Sequence, residues 1–350
     1  MLGAVSPATG STEPLQFSQV PAIGSGENLH ADIERWLDSA PLRELVRAFG
    51  GSVEQVLVGG ASDRLARLDA FTERWDTRQG RERNQAGELD LTPEQRELAP
   101  VAGNALGLRG PGTLRFAHYD HVLMLGGLIR ACLARPATAA LLLRPDRAEG
   151  VVTVGAVTAL GGHRPFAGDE FEQAAREGFP HLTEEYEALD AGTRRAFGLG
   201  EPLSDEHQSS PLPGGSWSIR SYRWQPAPGA ASVPVRVVAA PSSEPERRRA
   251  DTPDSYAFFA ERIAPLDHGS LVPGSRLLLL STAIHVLPQH LAALRMLGLP
   301  YGAEIDTVSA QAGSVPGMPL ANFTPTKYLL EIRTTIRMLC QLVETPGLVI

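Results

Sequence analysis

The spacing of apolar residues changes character near residue 120. Before that point Ile33, Trp36, Leu37, Leu45, Val46 and Phe49 recur at helical intervals with a break at Pro41. That predicts two short helices over 31–49. Val53 to Val58, then Leu65, Leu68, Phe71 and Trp75, predict further helix, with Ser62 as its N-cap after Gly59-Gly60. Thr92-Pro93-Glu94-Gln95 has the form of a capping box with proline at the first helical position. No strand pattern occurs in this stretch. Residues 1–26, rich in Gly, Ser, Pro and Thr, read as an irregular arm, and 27–115 as a helical accessory region.

Beyond it, continuous apolar runs mark strands at 121–126, 151–158, 234–240, 276–282 and 303–308. Runs without alternation belong to strands covered on both faces, as in a parallel sheet. Helical stretches lie between and after them at 128–143, 168–178, 183–196, 253–264, 286–297 and 325–343. The alternation predicts an α/β domain over 116–350, Rossmann-like and doubly wound, with a mainly parallel sheet of about five strands. Residues 198–232, rich in Pro, Gly and Ser, interrupt it and read as an active-site flap or a surface insertion.

Composition narrows the function. At 350 residues with 43% hydrophobic content, the chain can build one large domain with an accessory region. A net charge of −8 disfavours a general nucleic-acid binder. No apolar run approaches the length of a membrane span, and the N-terminus lacks a basic segment followed by an apolar one. A cytoplasmic protein without a membrane partner is the simplest expectation. Cys132 and Cys340 lie in helix-like contexts and cannot supply a cysteine metal cluster. Lys327 is the sole lysine among 32 basic residues, and it follows Thr326 rather than glycine. A GxxxxGK[ST] phosphate loop is therefore absent. Schiff-base chemistry would rest on Lys327 alone, ahead of an amphipathic helix, so anion recognition falls to arginine.

Two strand ends carry polar residues where a ligand would sit. One is Tyr119-Asp120-His121 through Gly126-Gly127 to Arg130, and the other is Leu277 to Leu280 followed by Ser281, Thr282 and His285. Open α/β sheets bind ligands at such C-terminal edges. Gly126 and Gly127 let backbone approach a ligand, with helix-start N–H groups and Arg130 favouring an anion. An equal reading is a tight turn that needs glycine for packing. Gly161-Gly162-His163-Arg164 offers a second half of the rim, followed by Asp169, read as a helix cap, and Glu170, read as functional. Ser281, Thr282 and His285 suit anion binding, or a nucleophile with its base. A GxGxxG fingerprint and a G-x-S-x-G elbow are both missing. His290 lies on a different helical face from His285 and reads as packing. His118 and His121 point to opposite faces of a regular strand, so no metal site is expected. The mixed charges of 74–84 read as a solvated segment, with a phosphate-holding loop as the sharper alternative.

As an ordered set, Gly126-Gly127 with Arg130, Arg135 and Ala137, Gly161-Gly162 with Glu170, Asp251-Thr252-Pro253-Asp254-Ser255, Ser281 to His285, and Glu331 resemble the YdcF/SanA/ElyC-type domain family over roughly 118–345. The absence of a membrane anchor points to its soluble, YdcF-like branch. Departures stand at Asp251, Asp254 and Ser255, where that family has Asn, Glu and Asn, and at Pro288, where it has arginine. The resemblance implies a Rossmann-like sheet and a nucleotide-type ligand, S-adenosylmethionine included. The combined expectation is a soluble enzyme acting on a nucleotide-like or phosphorylated small molecule by group transfer or hydrolysis. Arg130 and Arg164 would bind anionic groups, with Gly126, Gly127 and Gly162 giving backbone access. Thr252, Ser281 and Thr282 would hydrogen-bond the ligand, and His285 with Glu170 would exchange protons. Arg130, Glu170, Thr252 and His285 should then converge. The alternative is a non-catalytic binding or interaction protein that keeps the pocket.

Overall fold

The computed structural model describes residues 15–24, 28–77, 87–110, 114–144, 152–267, 269–311, 313–318 and 322–345. Its first part is helical: α1 (Leu29–Leu37), α2 (Ala40–Ala48), α3 (Val53–Val56), α4 (Ala61–Thr72) and α5 (Pro93–Ala105). Side-chain caps start several of them. Asn28 accepts from Ala31 N–H, Ser52 from Gln55 N–H, and Thr92 with Gln95 closes the capping box. The N-cap of α4 is Gly60, so Ser62 falls inside the first turn rather than ahead of it. Trp36, Leu42, Leu45, Leu65, Leu68 and Trp75 are buried together, and the Trp36 indole donates to Leu106 O at 3.1 Å. Of the charged run at 74–84, only residues 74–77 lie within the described residues; Arg74 there donates to Phe71 O and Phe49 O.

The α/β part runs β1 (His118–Leu125), α6 (Ile129–Leu142), β2 (Thr153–Gly161), α7 (Glu170–Arg176), α8 (Glu185–Phe197), β3 (Ser204–Gln208), β4 (Trp217–Trp224) and β5 (Val233–Ala239). It continues with α9 (Thr252–Phe258), α10 (Ala264–Asp267), β6 (Arg276–Ser281), α11 (Val286–Ala293), α12 (Leu299–Tyr301), β7 (Glu304–Ser309) and α13 (Pro325–Val343). The seven strands lie in the order β3-β4-β5-β2-β1-β6-β7. β5, β2, β1, β6 and β7 are parallel neighbours, while β3 and β4 add an antiparallel end. The mainly parallel, doubly wound sheet thus has two strands more than its apolar runs announce, both from within 198–232. β3 reads Ser-Asp-Glu-His-Gln and is almost wholly exposed, a charged edge of the kind that discourages further pairing.

The chain lays β1, β2 and β5 outward in one direction, then returns to place β6 and β7 on the other side of β1. Between β1 and β6 the winding reverses. A doubly wound sheet opens a crevice at such a switch point, beyond the strand C-termini.

Helices cover both faces. Val122, Met124, Val157, Ala159, Val235 and Val237 pack with α6 and α8 residues such as Leu133 and Leu189. Leu123, Leu160, Val238, Leu277 and Leu279 pack with Tyr256, Phe259, Ala292 and Ala293 on the other side. Full burial of one such leucine or valine stabilises by roughly 1.5–3 kcal/mol. The last helix joins the first part of the chain: Leu329, Ile332, Ile336 and Leu339 of α13 share a core with Trp36, Leu65 and Leu68. Among the described residues, no helix is long and apolar enough to cross a membrane.

Candidate functional site

At the C-terminal ends of β1 and β2 the protein meets its own charges. The Arg164 guanidinium forms a two-point pair with Glu170, at 2.7 and 2.8 Å, and a further bond to Glu185 at 2.9 Å. It also donates to Gly127 O at 3.0 Å. Burial works against the Arg164 charge, but the two glutamates outweigh it and hold the guanidinium pKa above its ordinary value. Burial likewise pushes the Glu185 carboxyl up, against the pull of Arg164. Glu170 is 1% exposed and accepts from Ile129 N–H at 3.3 Å and Ala167 N–H at 3.1 Å. A carboxylate of the chain itself therefore occupies the start of α6, the position where an anionic ligand was expected. The glycines serve the same cluster. A β-carbon on Gly126 would collide with Glu185 Oε1, and one on Gly161 would come within 3.0 Å of it. Cys132 lies beneath, its thiol donating to Gly127 O and pushed up to about 12 by burial, so it offers no thiolate.

The switch point itself is bridged. From the buried middle of α6, Arg135 donates to Leu125 O, to Gly126 O and, at 2.9 Å, to Thr282 Oγ1. Ser281 is fully buried beside it. Thr252 opens α9 and accepts from Gln289 Nε2 at 3.3 Å, which ties α9 to α11. Gly162 is half-buried, close to Ala250. Arg130 is exposed on the outer side of α6. The structure thus brings Glu170 to Arg164 and Thr282 to Arg135, while Thr252 joins Gln289 and Arg130 stands apart.

His285 follows β6 by a single short turn, closed by its N–H donating to Thr282 O at 2.8 Å. Its carboxylate partner is Glu331 of α13, not Glu170: Nδ1 and Oε2 are 3.1 Å apart. The Glu331 side chain is 3% exposed and that of His285 20%. Phe323 packs edge-on against the imidazole at 6.2 Å. His118 pairs with Thr153 and Asp120, His121 packs on Phe259, and among the described residues no group of three or more His, Cys, Asp or Glu could hold a metal ion.

A second imidazole sits where β2 ends. His163 Nδ1 lies 3.1 Å from Glu184 Oε2, and its Nε2 lies 3.0 Å from Ser218 Oγ. Pro165 bridges Glu184 in antiparallel fashion, and Phe166 N–H donates to Thr183 O, which sets Glu184 opposite His163. Ser218 is the second residue of β4 and pairs with Ala239, the last of β5, so antiparallel β4 brings it to the same edge as the parallel strand ends. Sequence spacing did not single out His163, Glu184 or Ser218 for chemistry. Cavities lie elsewhere. One of about 750 Å3 opens at the opposite edge of the sheet, around Val152, Thr153, Trp224 and Val233. Another, of about 350 Å3, lies beneath arm residues 19–24, near Arg115, His290 and Asp306.

A family described as the Rv3785 N-terminal domain matches residues 21–107, the helical first part. Three curated relatives match far more widely, at 29% identity over 349 residues, 93% of this chain and 91% of theirs. They are the uncharacterised proteins Rv3785 and MT3893 of Mycobacterium tuberculosis and Mb3814 of Mycobacterium bovis. The chain is similar to these proteins along nearly its whole length. No solved structure matches it. These similarities overturn the resemblance to the YdcF/SanA/ElyC-type family. The family match lies on the stretch that resemblance left unexplained, and the long relatives carry the Rv3785 description instead. The motifs misled for a physical reason: Gly-Gly turns and strand-end hydroxyls suit many doubly wound sheets, and here the glycines accommodate Glu185.

Proposed function

We propose that this protein is an enzyme performing acid–base group transfer or hydrolysis on a small polar molecule at the C-terminal edge of its parallel sheet. One observation carries the reading. On either side of the switch point an imidazole faces a glutamate through Nδ1, His285 with Glu331 and His163 with Glu184. A carboxylate at Nδ1 fixes the tautomer with its proton there and orients the ring with Nε2 as the acceptor. The imidazole side chains are 20% and 27% exposed, enough for a ligand to reach them. A phosphorylated or nucleotide-like ligand would find its cation in Arg130, exposed in the first turn of α6.

A thermal-shift screen against nucleotides and sugar phosphates tests it, because a ligand at a hundred times its dissociation constant stabilises by about 2.7 kcal/mol. Turnover of any hit is then followed in His285→Gln and His163→Gln. Loss of turnover in at least one of them, with the thermal shift kept, is the expected result. Wild-type turnover in both would sink the reading. A second reading, a non-catalytic binding protein, is favoured by the bridging of the switch point by Arg135 and the filling of the α6 start by Glu170. It predicts binding without turnover.

A further inference from the structure

We infer that Ser218, His163 and Glu184 form a nucleophile–base–carboxylate chain that cleaves carboxylic esters through an acyl-serine intermediate. The inference rests on the reading that this sheet edge is catalytic, and it names the chemistry of the β2 side. The hydrogen-bond directions follow from valence. Glu184 only accepts, so the His163 Nδ1 proton points at its carboxylate, at 3.1 Å. The neutral ring then has a lone pair at Nε2, which accepts the Ser218 hydroxyl proton across 3.0 Å. A serine whose hydroxyl donates to a base, with that base oriented by a carboxylate, is the arrangement nucleophilic catalysis requires.

The surroundings fit that use better than a purely structural chain of bonds. The side chains of His163 and Glu184 are each 27% exposed and Ser218 is 7% exposed, so the base and its carboxylate face solvent while the serine lies just beneath the surface. Tyr186 packs its ring edge-on against His163 at 5.3 Å, and its buried hydroxyl has no hydrogen-bond partner among the described residues. The array also explains why motif reading passed it over. Ser218 follows Gly215-Ser216-Trp217 at the start of a strand, not a G-x-S-x-G elbow, and its partners come from a turn after β2 and the N-cap of α8.

Ser218 Oγ attacks the ester carbonyl carbon, forming a C–O bond while its proton passes to His163 Nε2; Glu184 stabilises the resulting imidazolium. The intermediate collapses with rupture of the bond to the alkoxide, which leaves as the alcohol with the proton from Nε2. Water then attacks the acyl-serine and gives a proton to His163; as the bond between the acyl carbon and Oγ breaks, His163 returns that proton to Ser218 Oγ, releasing the carboxylic acid and free Ser218.

Labelling with a fluorophosphonate provides the test, since loss of fluoride leaves a phosphonyl adduct readable by peptide mass spectrometry without knowledge of the natural substrate. The adduct is expected on the Ser218 peptide of the full chain. Labelling should slow on the order of a thousandfold in His163→Gln and less in Glu184→Gln. Hydrolysis of p-nitrophenyl acetate by the wild type should fall in parallel in Ser218→Ala. Wild-type protein with a normal melting transition and no adduct on Ser218 would overturn the inference. So would a folded Ser218→Ala that hydrolyses the ester at the wild-type rate. Either result, with ligand turnover still dependent on His285, removes the serine step alone and leaves the broader enzymatic reading standing.

Discussion

The two sides of one sheet edge handle charge in opposite ways. At the ends of β1 and β2, Arg164 and Arg135 are packed against Glu170, Glu185 and backbone carbonyls, and the side chains of Arg164, Glu170 and Glu185 are at most 12% exposed. Two residues beyond the end of β2 and four beyond the end of β6, His163 and His285 each face a glutamate and stay partly exposed to solvent. Both sets consist of a carboxylate beside a nitrogen base. Burial separates them: the central side chains are at most 12% exposed, while the flanking imidazoles are 20% and 27% exposed. The buried ion pairs tie the ends of β1 and β2 together, and Arg135 bridges the switch point through Thr282.

Breaking the closed set should have the largest effect. Arg164→Ala strands Glu170 and Glu185 in a buried site without their common cation, and removing one partner of a buried pair costs about 3–5 kcal/mol. Urea unfolding of the variant should show a loss of that size; a loss under about 1 kcal/mol would mean that water already enters the cluster.

A buried imidazole sharpens the contrast next. His290 Nε2 donates to Ile23 O at 2.9 Å and Nδ1 accepts from the Thr307 hydroxyl at 3.0 Å, and burial lowers its pKa from 6.5 to about 4. The folded state therefore resists a proton that the unfolded chain accepts. Its contribution is intact above pH 6.5 and declines as the pH falls toward about 4. Complete loss amounts to about 3 kcal/mol. The melting temperature of the wild type should fall across that window relative to His290→Gln, whereas parallel pH profiles would contradict the sealed assignment. A smaller effect is expected at Gly126→Ala. The added methyl meets Glu185 Oε1, and overpacking of this kind costs typically 1–3 kcal/mol, again readable in urea.

Periodicity made most of the fold legible, because strands covered on both faces must be continuously apolar and amphipathic helices must repeat near 3.6. β3 escaped because a charged edge strand has no apolar residue to betray it, and β4 because its Ser218, Arg220 and Tyr222 alternate with Trp217 and Ile219. At the site, glycine pairs correctly signalled a close approach, but not that Glu185, 59 residues beyond Gly126 in number (185 − 126), makes it. The Glu331 that faces His285 lies on a helix after the last strand, and Ser218, His163 and Glu184 come from three separate elements. No local spacing encodes such partners. One signal was available: a histidine directly after Gly161-Gly162 at a strand end, where a ring is well placed to meet a neighbouring strand.

The mildest substitution tests the open side of the comparison. Arg130 is exposed, and among the described residues no ion pair or hydrogen bond engages its side chain. Arg130→Ala should therefore change the stability of the unliganded protein by no more than about 0.5 kcal/mol, as for surface positions generally. If the arginine is kept free to meet an anionic ligand, the same variant should lose most of the thermal shift that a phosphorylated ligand gives the wild type. The two measurements pull apart what Arg164 cannot. At Arg164 stability and binding would fall together, because its charge is already committed to Glu170 and Glu185. An unchanged ligand shift in Arg130→Ala would move the anion contact away from the start of α6.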